Sequence, residues 1–277
     1  MTNSTAGARR IRDAFAAAAH DGRIAFVPYI VAGYPDAETS ERLAVGALDA
    51  GGDLLEVGLP YSDPLADGVT LQHATGAALA RGATLDGSLA LVERICRARP
   101  NKPVLVMGYA NQFMGPRGVE FVARRLQEAG AAGAIVADLP LDEGAPLEEA
   151  FERHELALVY LVAPTSSEER IGPIADRSGG FVYCVSLAGV TGARQTGPAN
   201  LGALVARVKE RSRLPVAVGF GVSRPEHVRA VAATGADGAI VASALIDALG
   251  PDGTDEAAFL RLCAELANAT APASSAA

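Results

Sequence analysis

Thr234-Gly235-Ala236-Asp237-Gly238-Ala239-Ile240-Val241 reads as the end of a helix, a tight turn and the start of a buried strand. Gly235 stands where a helix closes on a residue of positive φ, and the consecutive apolar residues that follow suit a strand covered on both faces. The same pattern occurs twice more, as Ala50-Gly51-Gly52-Asp53-Leu54-Leu55 and Ala129-Gly130-Ala131-Ala132-Gly133-Ala134-Ile135-Val136. Such repetition marks successive units in which a helix hands over to a parallel strand.

Eight short apolar runs, at residues 25–31, 54–57, 104–107, 134–137, 157–162, 181–185, 216–218 and 239–242, carry this pattern along the chain. Residues 37–50, 118–129, 166–177 and 201–211, among the stretches between them, have apolar side chains at the three- and four-residue spacing of amphipathic helices. Alternation of this kind predicts a parallel sheet, and eight strands in one series predict an α/β fold of the (β/α)₈ or TIM-barrel type. An open doubly wound sheet would carry G-x-G-x-x-G after its first strand, where this chain has Ala32-Gly33-Tyr34-Pro35. Residues 4–19 predict an extra N-terminal helix that closes the bottom of the barrel. Residues 1–267 then form a single domain, and the Ala/Ser/Thr-rich tail 268–277 is expected to fray.

The composition agrees with a large aliphatic core: 49% of the 277 residues are hydrophobic, only 5% are aromatic, and there is no Trp. A net charge of −8 argues against nucleic acid and anionic membranes as partners, because both need a basic patch. A phosphate on a small ligand is still compatible, since backbone amides at helix N-termini hold it without net positive charge. Cys96, Cys184 and Cys263 are widely spaced and odd in number, which reads as three buried thiols in a reducing compartment. Asp13 and Asp21 bracket the alanine run behind Arg9 and Arg10, leaving no signal-peptide core and no membrane span, so the expected location is the cytoplasm.

Active sites of this fold lie at the C-terminal ends of the strands. Glu56 is there, a carboxylate inside the apolar run Asp53-Leu54-Leu55-Glu56-Val57-Gly58. Strand periodicity puts Glu56 on the inward face with Leu54 and Gly58, and burial should raise its pKa toward neutrality, which suits a general acid and base. Asp67 follows on the loop Pro60-Tyr61-Ser62-Asp63-Pro64-Leu65-Ala66-Asp67-Gly68, where ordinary turn chemistry competes with a role at the site. On a polar loop it should stay ionised and accept a hydrogen bond from a ligand N–H or balance a positive charge.

Gly219-Phe220-Gly221-Val222-Ser223 after the seventh strand and Ala242-Ser243 after the eighth occupy the usual phosphate position of such barrels. Ser223 and Glu226 have the spacing of a helix capping box. The glycine-containing loop 187–198 reads as a mobile lid. His20, His73, His154 and His227 are scattered, so no metal site is expected, and no lysine at a strand end suggests a Schiff base.

These segments resemble the tryptophan synthase alpha subunit family. The resemblance rests on Phe26-Val27-Pro28-Tyr29-Ile30, the Leu55-to-Gly68 segment, Ala137-Asp138-Leu139-Pro140, Gly189-Val190-Thr191-Gly192 and Gly219-to-Ser223. It implies a barrel lyase of tryptophan biosynthesis that splits indole-3-glycerol phosphate into indole and glyceraldehyde 3-phosphate by retro-aldol cleavage. It further implies that Glu56 is the acid/base and that Asp67 holds the indole N1–H. Tyr29, Leu71, Met107, Ile135, Tyr183 and Phe220 would line the pocket, and backbone N–H groups around Gly192, Gly221, Ala242 and Ser243 would hold phosphate. No cofactor is expected in this chain. The implied partner is a beta subunit carrying pyridoxal phosphate, in an alpha2beta2 complex, met by the Asp63 loop and the segment Tyr109-Ala110-Asn111. The chain departs from the family pattern at Tyr29, Val69, Gln112 and Ala242, where Phe, Pro, Pro and Gly are commoner. Two other readings are a free-standing indole-3-glycerol phosphate lyase and a non-catalytic phosphate-binding regulator of a beta subunit.

Overall fold

The computed structural model describes residues 4–185, 198–219 and 221–272. Its strands are β1 (Ala25–Val31), β2 (Leu55–Gly58), β3 (Val104–Gly108), β4 (Gly133–Val136), β5 (Ala157–Val159), β6 (Leu161–Val162), β7 (Val182–Val185), β8 (Val216–Gly219) and β9 (Gly238–Val241). All pair in parallel in the order β5-β4-β3-β2-β1-β9-β8-β7-β6, with helices around them, which makes a nearly closed TIM barrel. Nine strands appear where eight runs were expected because the fifth run breaks at Tyr160. The Tyr160 N–H leaves the ladder and donates to the Ser178 hydroxyl at 3.0 Å.

The junction glycines behave as their sequence predicts: φ is +118° at Gly51, +79° at Gly130 and +81° at Gly235. Two of the junctions also use their aspartate. The Asp53 carboxylate accepts the Phe26 N–H of β1 at 2.8 Å and pairs with Arg23, while Asp237 accepts the Val216 N–H of β8 at 2.8 Å and pairs with Lys209. Each carboxylate ties the start of the preceding strand in the chain to the start of its spatial neighbour, which fixes register at the base of the barrel.

Two apolar layers result. Leu55, Val57, Val104, Val106, Val216 and Val218 pack outward against the helices, and Ala25, Val27, Leu54, Leu105, Ile135, Ala157, Tyr183, Ala217 and Ile240 fill the interior. The helix Ala6–His20 closes the bottom as expected, with Ala8, Ile11, Phe15 and Ala18 joining the interior cluster. Phe15 lies 5.4 Å from Phe181, ring centre to ring centre. Cys96, Cys184 and Cys263 are all buried and unbridged, and burial pushes their thiols up to about 11, 12 and 12.

Two expectations need correction. The tail does not loosen at residue 268: the helix Glu256–Asn268 caps at Ala269, and Ala269 and Thr270 are buried. The Thr270 carbonyl accepts the Ile24 N–H at 3.2 Å, so the chain end is tied to the entrance of β1. Residues 273–277 lie outside the described residues. The Ser223–Glu226 capping box also does not form. Pro225, with its fixed φ and no N–H to satisfy, takes the first helical position, so the N-cap is Arg224 and Ser223 turns to His227 instead.

Candidate active site

The deciding residue is Glu56. It sits on β2 with its Cα partnered by Tyr29 on β1 and Leu105 on β3, all on the inward face. The side chain is buried, and neither carboxyl oxygen has a hydrogen-bond partner, an arrangement unmatched among the described residues. An orphaned buried carboxyl costs several kcal/mol if charged, so the group stays protonated longer. Burial first, and the charge of Asp67 second, raise its pKa from 4.5 to about 8.

Asp67 stands on the loop between β2 and the helix Val69–Ala80, half-buried. The expectation of a freely ionised, wet carboxylate is too simple. Burial raises its pKa from 3.8 to about 6, and the Tyr109 hydroxyl, hydrogen-bonded to it, works in the opposite direction. At neutral pH the two acids therefore differ in the sense expected: Asp67 is mainly charged and Glu56 mainly neutral.

Tyr109 is the residue that sequence reading undervalued, as it entered only as part of a surface segment. Its hydroxyl accepts the Ala66 N–H at 3.0 Å as well as bonding Asp67, and its ring stacks on Tyr61 at 5.0 Å. Its place immediately after β3 was the available signal, because strand ends carry the chemistry in this fold.

Tyr29 and Tyr183 occupy matching positions. An ideal Cβ on Gly58 would lie 1.8 Å from the Tyr29 hydroxyl, and one on Gly219 would lie 2.2 Å from that of Tyr183. Each glycine thus leaves open the volume that a tyrosine on the adjacent strand fills. Met107 and Ile135 pair in register one pleat above Glu56, alongside Gly58. Leu71 is buried on the helix Val69–Ala80. Phe220 and Gly192 lie outside the described residues, as does the lid segment 187–197.

Of the expected phosphate groups, Gly221 has φ +57° and is exposed, directly after β8. Ala242 precedes the short helix Ser243–Ala248 with a negative φ of −117°, so its departure from Gly costs no left-handed strain. Asp63 is exposed and takes the Ser62 hydroxyl at 2.7 Å; Asn111 donates to the Tyr61 hydroxyl at 3.1 Å. Leu65 and Val69 project almost fully, at 88% and 84% exposure, in the same loop region. Gln112 accepts the Tyr109 N–H at 3.0 Å and donates to the Pro60 carbonyl at 3.1 Å. It therefore clamps the helix Ala110–Met114 to the loop that bears Asp67, which a proline at this position could not do.

The family model for the tryptophan synthase alpha chain matches residues 15–273. The chain belongs to the tryptophan synthase alpha chain family. It is 45% identical over 240 residues to the tryptophan synthase alpha chain of Chloroflexus aggregans, covering 87% of this chain and 89% of that one. The alpha chain of Methanothermobacter thermautotrophicus is 44% identical over 243 residues, covering 88% and 89%. Among solved structures, tryptophan synthase from Mycobacterium tuberculosis superposes with a TM-score of 0.87 at 39% identity, over 95% of this chain and 98% of that one. The tryptophan synthase alpha subunit of Legionella pneumophila gives 0.86 at 34% identity, over 94% and 98%. Membership of the tryptophan synthase alpha chain family gives Glu56 and Asp67 a substrate to be tested against.

Proposed function

We propose that this chain is the alpha subunit of a tryptophan synthase, a lyase that cleaves indole-3-glycerol phosphate to indole and glyceraldehyde 3-phosphate. The observation that carries the reading is Glu56, enclosed without a partner in the mouth of an alpha-chain barrel. Glu56 begins protonated and gives its proton to indole C3, while Asp67 accepts the N1–H and faces the positive charge that spreads over the ring. The Glu56 carboxylate then takes the proton of the glycerol hydroxyl next to C3, and the carbon–carbon bond breaks. One group serves as acid and then as base because its pKa of about 8 lies near the working pH.

Tyr29, Leu71, Met107, Ile135, Tyr183 and Phe220 form the wall against the indole and glycerol parts. Amides near Gly192, Gly221, Ala242 and Ser243 take the phosphate. The beta subunit docks on the surface around Asp63 and Asn111, with the exposed Leu65 and Val69 supplying apolar contact. It carries the pyridoxal phosphate, and the assembly is alpha2beta2 in the cytoplasm; no helix among the described residues is long and apolar enough to cross a membrane.

Indole release by the purified chain, measured with and without a beta subunit, tests this reading. Slow turnover alone and strong stimulation by the partner are expected. Fast turnover alone would favour a free-standing lyase, and no turnover in either state would favour a non-catalytic regulator.

A further inference from the structure

Tyr29 faces Glu56 across the β1–β2 pair, and its ring climbs one pleat toward the mouth until the hydroxyl lies 1.8 Å from where Gly58 would carry a Cβ. Gly58 is the next inward position above Glu56 on the same strand. The hydroxyl is thus held one pleat beyond Glu56, toward the mouth of the barrel. The residue is only 4% exposed, so packing fixes the ring, yet the hydroxyl makes no hydrogen bond to a described residue. Its oxygen is not sealed off as the Glu56 oxygens are.

Asp67 and Glu56 both act electrostatically on this hydroxyl, with Tyr109 behind them, and Tyr183 faces the same space from β7. Burial and the two carboxylates push its pKa far up, so the phenol keeps its proton and is a donor wherever the acids titrate. Asp67 already has the hydroxyl of Tyr109. Tyr29 has no such partner among the described residues, which leaves its donor for a bound oxygen.

Resting on the retro-aldol reading, we propose that Tyr29 is a further catalytic residue, whose hydroxyl donates a hydrogen bond to the substrate oxygen that Glu56 deprotonates. In that step the hydroxyl proton passes to the Glu56 carboxylate, and an oxygen electron pair forms the aldehyde C=O. The bond to indole C3 breaks, and its electron pair returns to the ring and neutralises the charge facing Asp67. Negative charge gathers on the oxygen between loss of the proton and completion of the carbonyl. A fixed donor stabilises it there, and Tyr29 ends the step with its own proton.

Tyr29→Phe removes one oxygen and keeps the ring, and the variant is to be assayed in complex with the beta subunit. We expect kcat for indole-3-glycerol phosphate cleavage to fall about tenfold with KM changed by less than about twofold, as for a contact made only in the transition state. The acidic limb of the pH profile, set by Asp67 among Glu56, Tyr29, Tyr109 and Tyr183, should not move. Unchanged kcat would overturn the proposal. So would a fall in kcat accompanied by a shift of the acidic limb to higher pH, which assigns the hydroxyl to Asp67. If the wild-type complex releases no indole, the retro-aldol reading fails and takes this proposal with it; if the wild type turns over and Tyr29→Phe equals it, only the role of Tyr29 fails.

Discussion

Burying Glu56 without a partner costs stability, and the cost can be measured. Its folded pKa of about 8 lies above the ordinary 4.5, so between these values the folded chain holds a proton that the unfolded chain has lost. Stability is therefore highest below the ordinary value, declines as pH rises toward 8, and levels off above it. Glu56→Gln removes this dependence. Chemical denaturation should find the variant more stable relative to wild type at pH 8.5 than at pH 5, by on the order of 3 kcal/mol. The same variant should bind substrate and release no indole; wild-type turnover would exclude Glu56 as the acid/base. Activity that needs Asp67 charged and Glu56 protonated should give a bell in kcat/KM, rising through about 6 and falling through about 8. A profile flat across this interval would contradict both assignments. At Gly221, where φ is +57°, Asn and Asp incur similar backbone strain, so comparing the two isolates charge. Gly221→Asp should bind glycerol phosphate more weakly than Gly221→Asn, and equal affinities would move the phosphate elsewhere.

At the scale of the element, the helix Ala110–Met114 and the loop carrying Asp67 form one piece. Gln112 bonds both Tyr109 and Pro60, Tyr109 bonds both Ala66 and Asp67, and Asn111 reaches Tyr61. These bonds connect the outer face of this helix to the loop that carries Asp67. Gln112→Ala should cost about 1–2 kcal/mol of stability for the two lost hydrogen bonds. It should also reduce the factor by which a beta subunit stimulates indole release, read as the ratio of rates with and without partner. An unchanged ratio would show that this clamp plays no part in the coupling. The linkage was not legible in the sequence because every bond in it except the Gln112–Tyr109 contact joins segments that only the β2–β3 pairing brings side by side. Glu56, by contrast, was legible, because an acid among buried strand residues is anomalous wherever the strand is placed; Asp67, on a polar loop where turn chemistry also suits an aspartate, stood out only through the family resemblance.

Across the whole molecule, the barrel depends on its bottom plug. Phe15 is 3% exposed and packs on Phe181 inside the interior layer, although its helix lies outside the strand–helix series. Phe15→Ala should cost about 3–5 kcal/mol, observed as a lower denaturation midpoint, because the closed strands cannot collapse into the cavity. A loss below about 1 kcal/mol would mean that the plug is dispensable. The barrel architecture, the closing glycines, the N-terminal plug and the anomalous Glu56 follow from the chain alone, since periodicity, helix ends and a misplaced charge are local properties. The break at Tyr160, the anchoring of Thr270, the raised pKa of Asp67, and the bonds of Tyr109 and Gln112 were decided by the tertiary structure. Each depends on which distant segment lies alongside, and on how much water that neighbour excludes.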